Sequence, residues 1–163
     1  MIKSYRFISL WLVLSIFNFG AIAQSESPVI KNLAENADVI LLGKVIQKVS
    51  SWNVSKTRIY TTTNLQVEEF LKGSNGQNNV EITSPGGEVG EVGELYTHLP
   101  TFDQDEEVLV FLKKDAQNNK YKVLNGVDGK ITVLEDAVTK EKITSSKIPI
   151  KELKSQIHRY VTE

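Results

Sequence analysis

The clearest periodic segment of the chain spans residues 58–71, where apolar and polar residues alternate. Ile59, Leu65 and Val67 share one parity, whereas Tyr60 and the polar residues around it hold the other. Alternation with a period of two is typical of a strand that has one buried face and one solvent face. The pattern therefore predicts a long strand here, followed by a turn at residues 73–76.

Shorter apolar runs predict the other strands. Residues 39–50 begin with four apolar residues and contain Gly43, and a glycine inside a strand usually marks a bend or a bulge. We predict a polar turn at residues 51–56, a glycine-rich acidic loop at residues 85–93, and a short helix or turn at residues 28–38. The remaining predicted strands lie at residues 80–82, 108–112, 121–124 and 131–134.

Near the C-terminus, apolar residues recur at spacings of three and four, which is the pattern of a helix with one apolar face. Pro149 lies at the predicted first turn, where a missing N–H group costs little. We therefore predict an amphipathic helix over about residues 149–161. Its apolar stripe consists of Ile150, Leu153, Ile157 and Tyr160.

These elements predict a mainly β fold, namely a small closed barrel of about five strands with a C-terminal amphipathic α-helix. The barrel is expected over about residues 37–134. Full closure leaves no strand edge exposed, which favours a barrel over the alternative, an open sandwich of two sheets.

The N-terminus predicts export. Lys3 and Arg6 precede an apolar run at residues 7–17, and the small residues Ala21 and Ala23 follow it. This order predicts a signal peptide over residues 1–23, cleaved before Gln24, rather than a transmembrane anchor, for which the run is short. We expect the remaining residues, 24–163, to form a single domain in the periplasm or outside the cell.

Composition narrows the classes of partner. Without Lys3 and Arg6, 17 of the 19 basic residues remain against 20 acidic residues, a net charge of −3. This charge argues against a nucleic-acid partner. The chain has no cysteine, which excludes both a disulfide and a lipid-modified cysteine, so we expect no membrane anchor after cleavage.

No catalytic constellation stands out in the sequence, so we predict neither an enzyme nor a cofactor. The chain has two histidines, His98 in a predicted loop and His158 on the predicted helix. Residues 85–94 contain four glycines but also three glutamates, and no Lys-Ser or Lys-Thr pair follows to hold a phosphate. The acidic residues at 103–107 indicate either a solvated turn or a calcium site without an EF-type pattern. We predict no metal site.

Five short segments resemble those of a known protein family, and they occur in the same order along the chain. They are Ala-Asp-Val-Ile-Leu-Leu-Gly-Lys-Val at residues 37–45, Phe-Leu-Lys-Gly at 70–73, Val-Glu-Ile-Thr-Ser-Pro at 80–85, Glu-Val-Leu-Val-Phe at 107–111 and Leu-Lys-Ser-Gln-Ile-His-Arg-Tyr at 153–160. In this order the chain resembles the tissue inhibitors of metalloproteinases and the related netrin modules. It is also similar to exported bacterial proteins with the same pattern.

The resemblance implies an oligonucleotide/oligosaccharide-binding (OB) type barrel. It also implies a protein partner, and the class of partner that it suggests is a secreted protease. The animal inhibitors begin with a cysteine whose amine and carbonyl chelate the zinc ion of the protease. Here the expected first residue is Gln24, which can cyclise and lose its basic amine, and the chain has no cysteine. The zinc-chelating N-terminal cysteine of the animal inhibitors is therefore absent from this sequence.

We predict from these observations a non-enzymatic exported binding module that binds a protein through the loops at one end of the barrel. The alternative is a small ligand or glycan bound on the exposed face of the second strand. No feature of the sequence predicts an oligomeric state. The residues expected to contact the partner are Trp52, Asn53, Tyr60, Glu88, Glu91, Tyr96 and His98.

Overall fold

The computed structural model describes residues 27–74, 76–116 and 120–162. The predicted signal peptide lies outside these residues. Nine strands, two α-helices and a short 3₁₀ helix at Gly126–Gly129 form the described part of the chain. The α-helices are α1 (Pro28–Asn36) and α2 (Ile150–Thr162), and the strands are β1 (Val39–Trp52), β2 (Ile59–Lys72), β3 (Asn79–Pro85), β4 (Gly87–Val89), β5 (Val92–Glu94), β6 (Glu107–Lys114), β7 (Tyr121–Val123), β8 (Lys130–Glu135) and β9 (Lys142–Thr144).

Five of the strands close into a barrel, and the predicted fold class is confirmed. Their order around the barrel is β1-β2-β3-β7-β6, and β6 pairs again with β1. All these pairings are antiparallel except β3 with β7, which run parallel where Ile82 lies opposite Tyr121. Closure through this parallel contact excludes the open sandwich.

The two longest strands behave as their sequence patterns predict. Along the first half of β2 the side chains alternate between buried and exposed, with Ile59 and Leu65 fully buried. In β1 the register against β2 shifts next to Gly43. A Cβ atom at Gly43 would lie 2.6 Å from the carbonyl oxygen of Gln66, so a glycine is required for this close strand approach.

Two apolar cores lie on opposite sides of the barrel wall. The inner core fills the barrel and includes Val45, Leu65 and Phe102. The outer core packs α1 and α2 against β1, β6 and β8, with Leu33 and Ile157 fully buried at its centre. Both faces of β1 and β6 are therefore buried where the two cores overlap, which explains their continuous apolar runs.

Helix α2 confirms the predicted C-terminal helix, because its apolar stripe forms one side of the outer core. Strands β8 and β9 extend the sheet beyond the barrel, and β9 had no clear signal in the sequence. Among the described residues, no helix has the length and apolar character needed to cross a membrane.

Two local predictions are wrong. The predicted polar turn at residues 51–56 begins too early, because β1 continues through Trp52, which pairs with Ile59. The predicted loop at residues 85–93 contains a hairpin, in which β4 pairs with β5 around a turn at Gly90. Glycine-rich sequence suggested a flexible loop, but positive φ angles at Gly86, Gly87 and Gly90 fold the segment instead.

Candidate binding site at the hairpin end of the barrel

The inside of the barrel changes from apolar to polar at one end. Phe102 is 2% exposed and forms the last layer of the inner core. Beyond it, a cleft of about 680 Å³ opens between strands β1, β2 and β3 on one side and hairpin β4–β5 and residues 95–102 on the other. The strands line this cleft with Lys48, Ser50, Thr61, Thr63 and Ser84.

We call this part of the molecule the hairpin end. It comprises the β1–β2 turn at residues 53–58, hairpin β4–β5 and residues 95–102. The elements meet here because β4 leaves β3 and packs over the ends of both β1 and β2. The hairpin end therefore gathers three connections of the barrel on one side of the molecule.

Hydroxyl groups hold the hairpin against the barrel. The hydroxyls of Ser50 and Thr61 lie 2.9 Å apart, and the Thr61 hydroxyl donates to the carbonyl oxygen of Gly86 at 2.7 Å. Gly87 has a φ of 124°, and a Cβ atom at this position would overlap both hydroxyl oxygens. Only a glycine lets β4 approach the two strands this closely.

A second set of bonds fixes the hairpin to the start of β2. The backbone N–H of Ile59 donates to Glu94 Oε1 at 3.3 Å, and the Tyr96 hydroxyl donates to Glu94 Oε2 at 3.3 Å. Arg58 Nη1 donates to the same Tyr96 oxygen at 3.1 Å. The His98 ring lies edge-on to the Tyr96 ring, with 6.2 Å between centroids. These contacts give the cleft a rigid outer wall.

Three elements of the hairpin end carry exposed apolar side chains. Leu95 lines the cleft and is 78% exposed, and Val92 in β5 is 47% exposed. Val54 in the β1–β2 turn is fully exposed. Scattered apolar residues on a surface are ordinary, so the informative one of these three is Leu95, which lines the cleft.

Most of the predicted contact residues belong to this end. Glu88 and Tyr96 line the cleft, and Glu91 and His98 are exposed on the hairpin turn and the following segment. Trp52 is half-buried at the end of β1 rather than in a loop.

Asn53 and Tyr60 stand apart from the cleft. The Asn53 side chain accepts the N–H groups of Thr57 at 2.8 Å and Arg58 at 3.2 Å, so it shapes the β1–β2 turn. Tyr60, 37% exposed, faces outward from the opposite side of β2.

Sequence reasoning missed the residues that line the floor of the cleft. Thr61 and Thr63 share the parity of Ile59 and Leu65, and this parity was the available signal that both threonines point inward. Nothing in the sequence indicated Lys48 or Phe102, because their positions depend on how β1 and residues 95–102 meet in space.

The outer face of β2 offers a flatter surface. Tyr60, Thr62 and Asn64 lie along it, and Asn64 Nδ2 donates to Gln47 Oε1 of β1 at 3.2 Å. Val49, opposite Thr62, is 49% exposed on the same face. This face therefore offers an aromatic ring beside amide and hydroxyl groups.

The acidic residues at 103–107 point to different lysines instead of converging. Asp105 Oδ1 lies 2.9 Å from Lys44 Nζ, and Glu107 Oε1 lies 2.7 Å from Lys142 Nζ. No group of three or more histidine or acidic side chains in the described residues could hold a metal ion. Each of these two carboxylates therefore has an ion-pair role.

Glu106 anchors the segment that follows the cleft. Its carboxylate accepts hydrogen bonds from Lys130 Nζ at 2.8 Å, the Thr132 hydroxyl at 2.6 Å and the Asp103 backbone N–H at 3.0 Å. Burial raises the pKa of Glu106, but these hydrogen bonds outweigh it and hold the pKa below its usual value. Lys130 also donates to Thr101 at 2.6 Å, which ties residues 101–106 to β8.

No protein-family model matches this chain, and no curated protein matches it. The resemblance to the metalloproteinase inhibitors and netrin modules therefore stays a prediction from the sequence segments.

Proposed function

We propose that this protein is an exported, non-enzymatic binding module that binds a protein partner at the hairpin end. The observation that carries the proposal is the cleft with Leu95, 78% exposed, in its wall, on an end of the barrel that also exposes Val92 and Val54. Burial of apolar surface is the main driving force of protein association. A cleft with such a side chain in its wall provides both the area and the shape that an anchoring side chain of a partner needs.

The rigidity of this end supports the same proposal. Glu94 and Tyr96 bind the hairpin to β2, and Thr61 binds it to the barrel floor. A surface that is ordered before binding loses little conformational entropy when a partner arrives. Loops held on a rigid scaffold are common places for recognition.

The class of partner and the location come from the sequence. A secreted protease is the partner class that the family resemblance implies, and the predicted signal peptide would deliver the chain to the periplasm or the cell exterior. A protease partner would have to be bound without the zinc-chelating cysteine. The exposed apolar surface of the hairpin end is the contact that we propose instead.

A second candidate function uses the outer face of β2. Tyr60 is 37% exposed there, beside the polar side chains of Thr62 and Asn64. An exposed aromatic ring next to hydroxyl and amide groups is suited to stacking and hydrogen bonding with a glycan or another small ligand. We propose this alternative for the case in which no protein partner is retained.

The proposal is tested by affinity capture with residues 24–163 as bait, using envelope and culture-medium fractions of the source organism. Leu95→Asn removes the most exposed apolar side chain of the cleft and should abolish retention of a specific partner. Val138→Asn is the matched control, because Val138 is 89% exposed in the turn between β8 and β9. A partner retained equally by both variants would place binding elsewhere and contradict the proposal.

A further inference from the structure

Strand β1 has an unpaired edge next to the cleft. It pairs with β2 along most of its length, but with β6 only from Val39 to Lys44. The backbone of Val45 still bonds Asp105 and Glu106, and the Ile46 carbonyl oxygen accepts from Gln104 Nε2. From Gln47 onward, no strand of the described part of the chain pairs with this side of β1. We call residues 47–52 on this side the open edge. An open edge carries free backbone donors and acceptors, which can pair with another extended chain.

The register identifies the backbone groups that face the open edge. Gly86 N–H donates to the carbonyl oxygen of Ile59 at 2.8 Å, so the backbone of Ile59 faces β3 rather than β1. Trp52 lies opposite Ile59, and its backbone groups therefore face away from β2. The register is unbroken from Gln47 to Trp52, so Lys48 and Ser50, two and four residues earlier, face the same way.

The open edge forms one side of a groove. Lys48 and Ser50 also line the cleft, and residues 99–102 line it from the other side. Lys48 Nζ donates to the carbonyl oxygen of Phe102 at 2.8 Å, so a single lysine side chain spans from β1 to the opposite wall. An extended chain that adds to a sheet lies about 4.8 Å from its neighbouring strand, so a strand added to the open edge would run along this side of the cleft.

The charge and exposure of the residues around the open edge indicate which side chains an added peptide would carry. Lys48 is the only lysine or arginine among the residues that line the cleft, and Glu88 and Glu94 line it from the hairpin. On the β1 side, the Lys48 ammonium group has three donors, one of which is bound to the carbonyl oxygen of Phe102. Both oxygens of Glu94, by contrast, already accept hydrogen bonds from the protein. On the outer face, Val49 is 49% exposed. Alternate residues of an added strand would meet these two environments in turn.

We propose that the open edge of β1 binds an extended peptide segment of the partner by strand addition, with acidic side chains facing Lys48 and apolar side chains beside Val49. This inference rests on the proposed function and specifies how the partner is recognised. Backbone hydrogen bonds to Lys48, Ser50 and Trp52 supply affinity, and the alternating side chains supply selectivity.

The test uses a displayed library of random dodecapeptides, panned on residues 24–163. Ser50→Pro removes an N–H group that faces the open edge and makes no hydrogen bond to β2, a position where strands tolerate proline. Ser50→Ala is the matched control, because it removes the same hydroxyl and keeps the N–H group. The selected peptides should alternate apolar and acidic residues. Both variants lack the hydroxyl that contacts Thr61, so the comparison is between the two: Ser50→Pro should bind these peptides roughly tenfold more weakly than Ser50→Ala does.

A second measurement does not depend on the folding of the proline variant. A selected peptide is N-methylated at alternate residues, once at those whose N–H groups face β1 and once at the intervening ones. The first form should lose binding and the second should keep it, because only the first removes donors to the open edge.

Three results would overturn the inference whatever Leu95→Asn does. The first is that no sequence is enriched, and the second is that both N-methylated forms bind equally. The third is a dimer of the wild type that Ser50→Pro converts to a monomer, because a second copy would then occupy the edge. Peptides that bind Ser50→Pro as tightly as the wild type but do not bind Leu95→Asn would exclude strand addition and leave the proposed function intact. Peptides unaffected by either variant would count against both.

Discussion

Individual glycines decide whether the hairpin end can form. Gly87 combines a φ of 124° with a Cβ position that overlaps the Ser50 and Thr61 hydroxyls. Gly90 has a φ of 63° and no atom within 4 Å of its Cβ position. Both residues have a positive φ angle, but only Gly87 lacks space for a Cβ atom. Substitutions at the two positions therefore distinguish the cost of backbone strain from the cost of steric overlap.

We expect Gly87→Ala to lower the free energy of unfolding by about 1–3 kcal/mol and to detach β4 from the barrel. Gly90→Ala should cost about 1 kcal/mol, because its backbone is left-handed but its surroundings are open. Urea denaturation gives the stabilities, and amide NMR shifts of Ser50 and Thr61 report on the hairpin. Equal shifts in both variants would contradict the packing of β4 on these hydroxyls.

Glu106 makes the stability of the fold depend on pH. Its pKa is lower in the folded chain than the ordinary value of 4.5, so the unfolded chain binds more protons in acid. The stabilisation is complete above about pH 4.5 and is lost as the pH falls through the lower folded pKa. The ion pair with Lys130 thus favours the folded state at neutral pH.

We expect Glu106→Gln to lower stability at pH 7 by about 1–3 kcal/mol and to reduce the further loss below pH 4.5. Thr132→Val removes one of the hydrogen bonds and should give an intermediate slope. Urea midpoints measured from pH 7 to pH 3 provide the comparison. A Glu106→Gln variant with the wild-type slope would show that other groups carry the acid sensitivity.

Helix α2 illustrates which elements the sequence predicts well. Its spacing of three and four depends only on which side chains meet the outer core, and the structure buries the predicted stripe. The alternation of β2 was readable for the same reason. Hairpin β4–β5 was not, because its conformation depends on glycine backbone angles and on a contact with β1 and β2 that are distant in sequence.

We expect Ile157→Ala to lower the free energy of unfolding by about 2–5 kcal/mol, because Ile157 is fully buried in the outer core. His158→Ala is the matched neighbour, exposed on the same helix, and should change stability by about 0.5 kcal/mol or less. Thermal or urea unfolding measures both variants. Equal effects would mean that α2 is not part of the cooperative fold.

At the scale of the whole molecule, the closed barrel has one side covered by the two helices and one end that opens into the cleft. The outer core holds α1 and α2 on one side, and the inner core ends at Phe102 below the cleft. The strand patterns predicted about five strands, and the barrel was favoured over an open sandwich because closure leaves no strand edge exposed. They did not predict the cleft, since its walls come from β1, β2, β3, the hairpin and residues 95–102, which the sequence keeps apart.

The central claim is that the hairpin end is the surface through which this protein binds its partner. Hydrogen–deuterium exchange of residues 24–163, alone and with the captured partner, tests this claim most directly. The account predicts slower exchange at residues 46–60 and 86–102 in the complex, with α2 and β9 unchanged. Protection confined to α2 or β9 would contradict it.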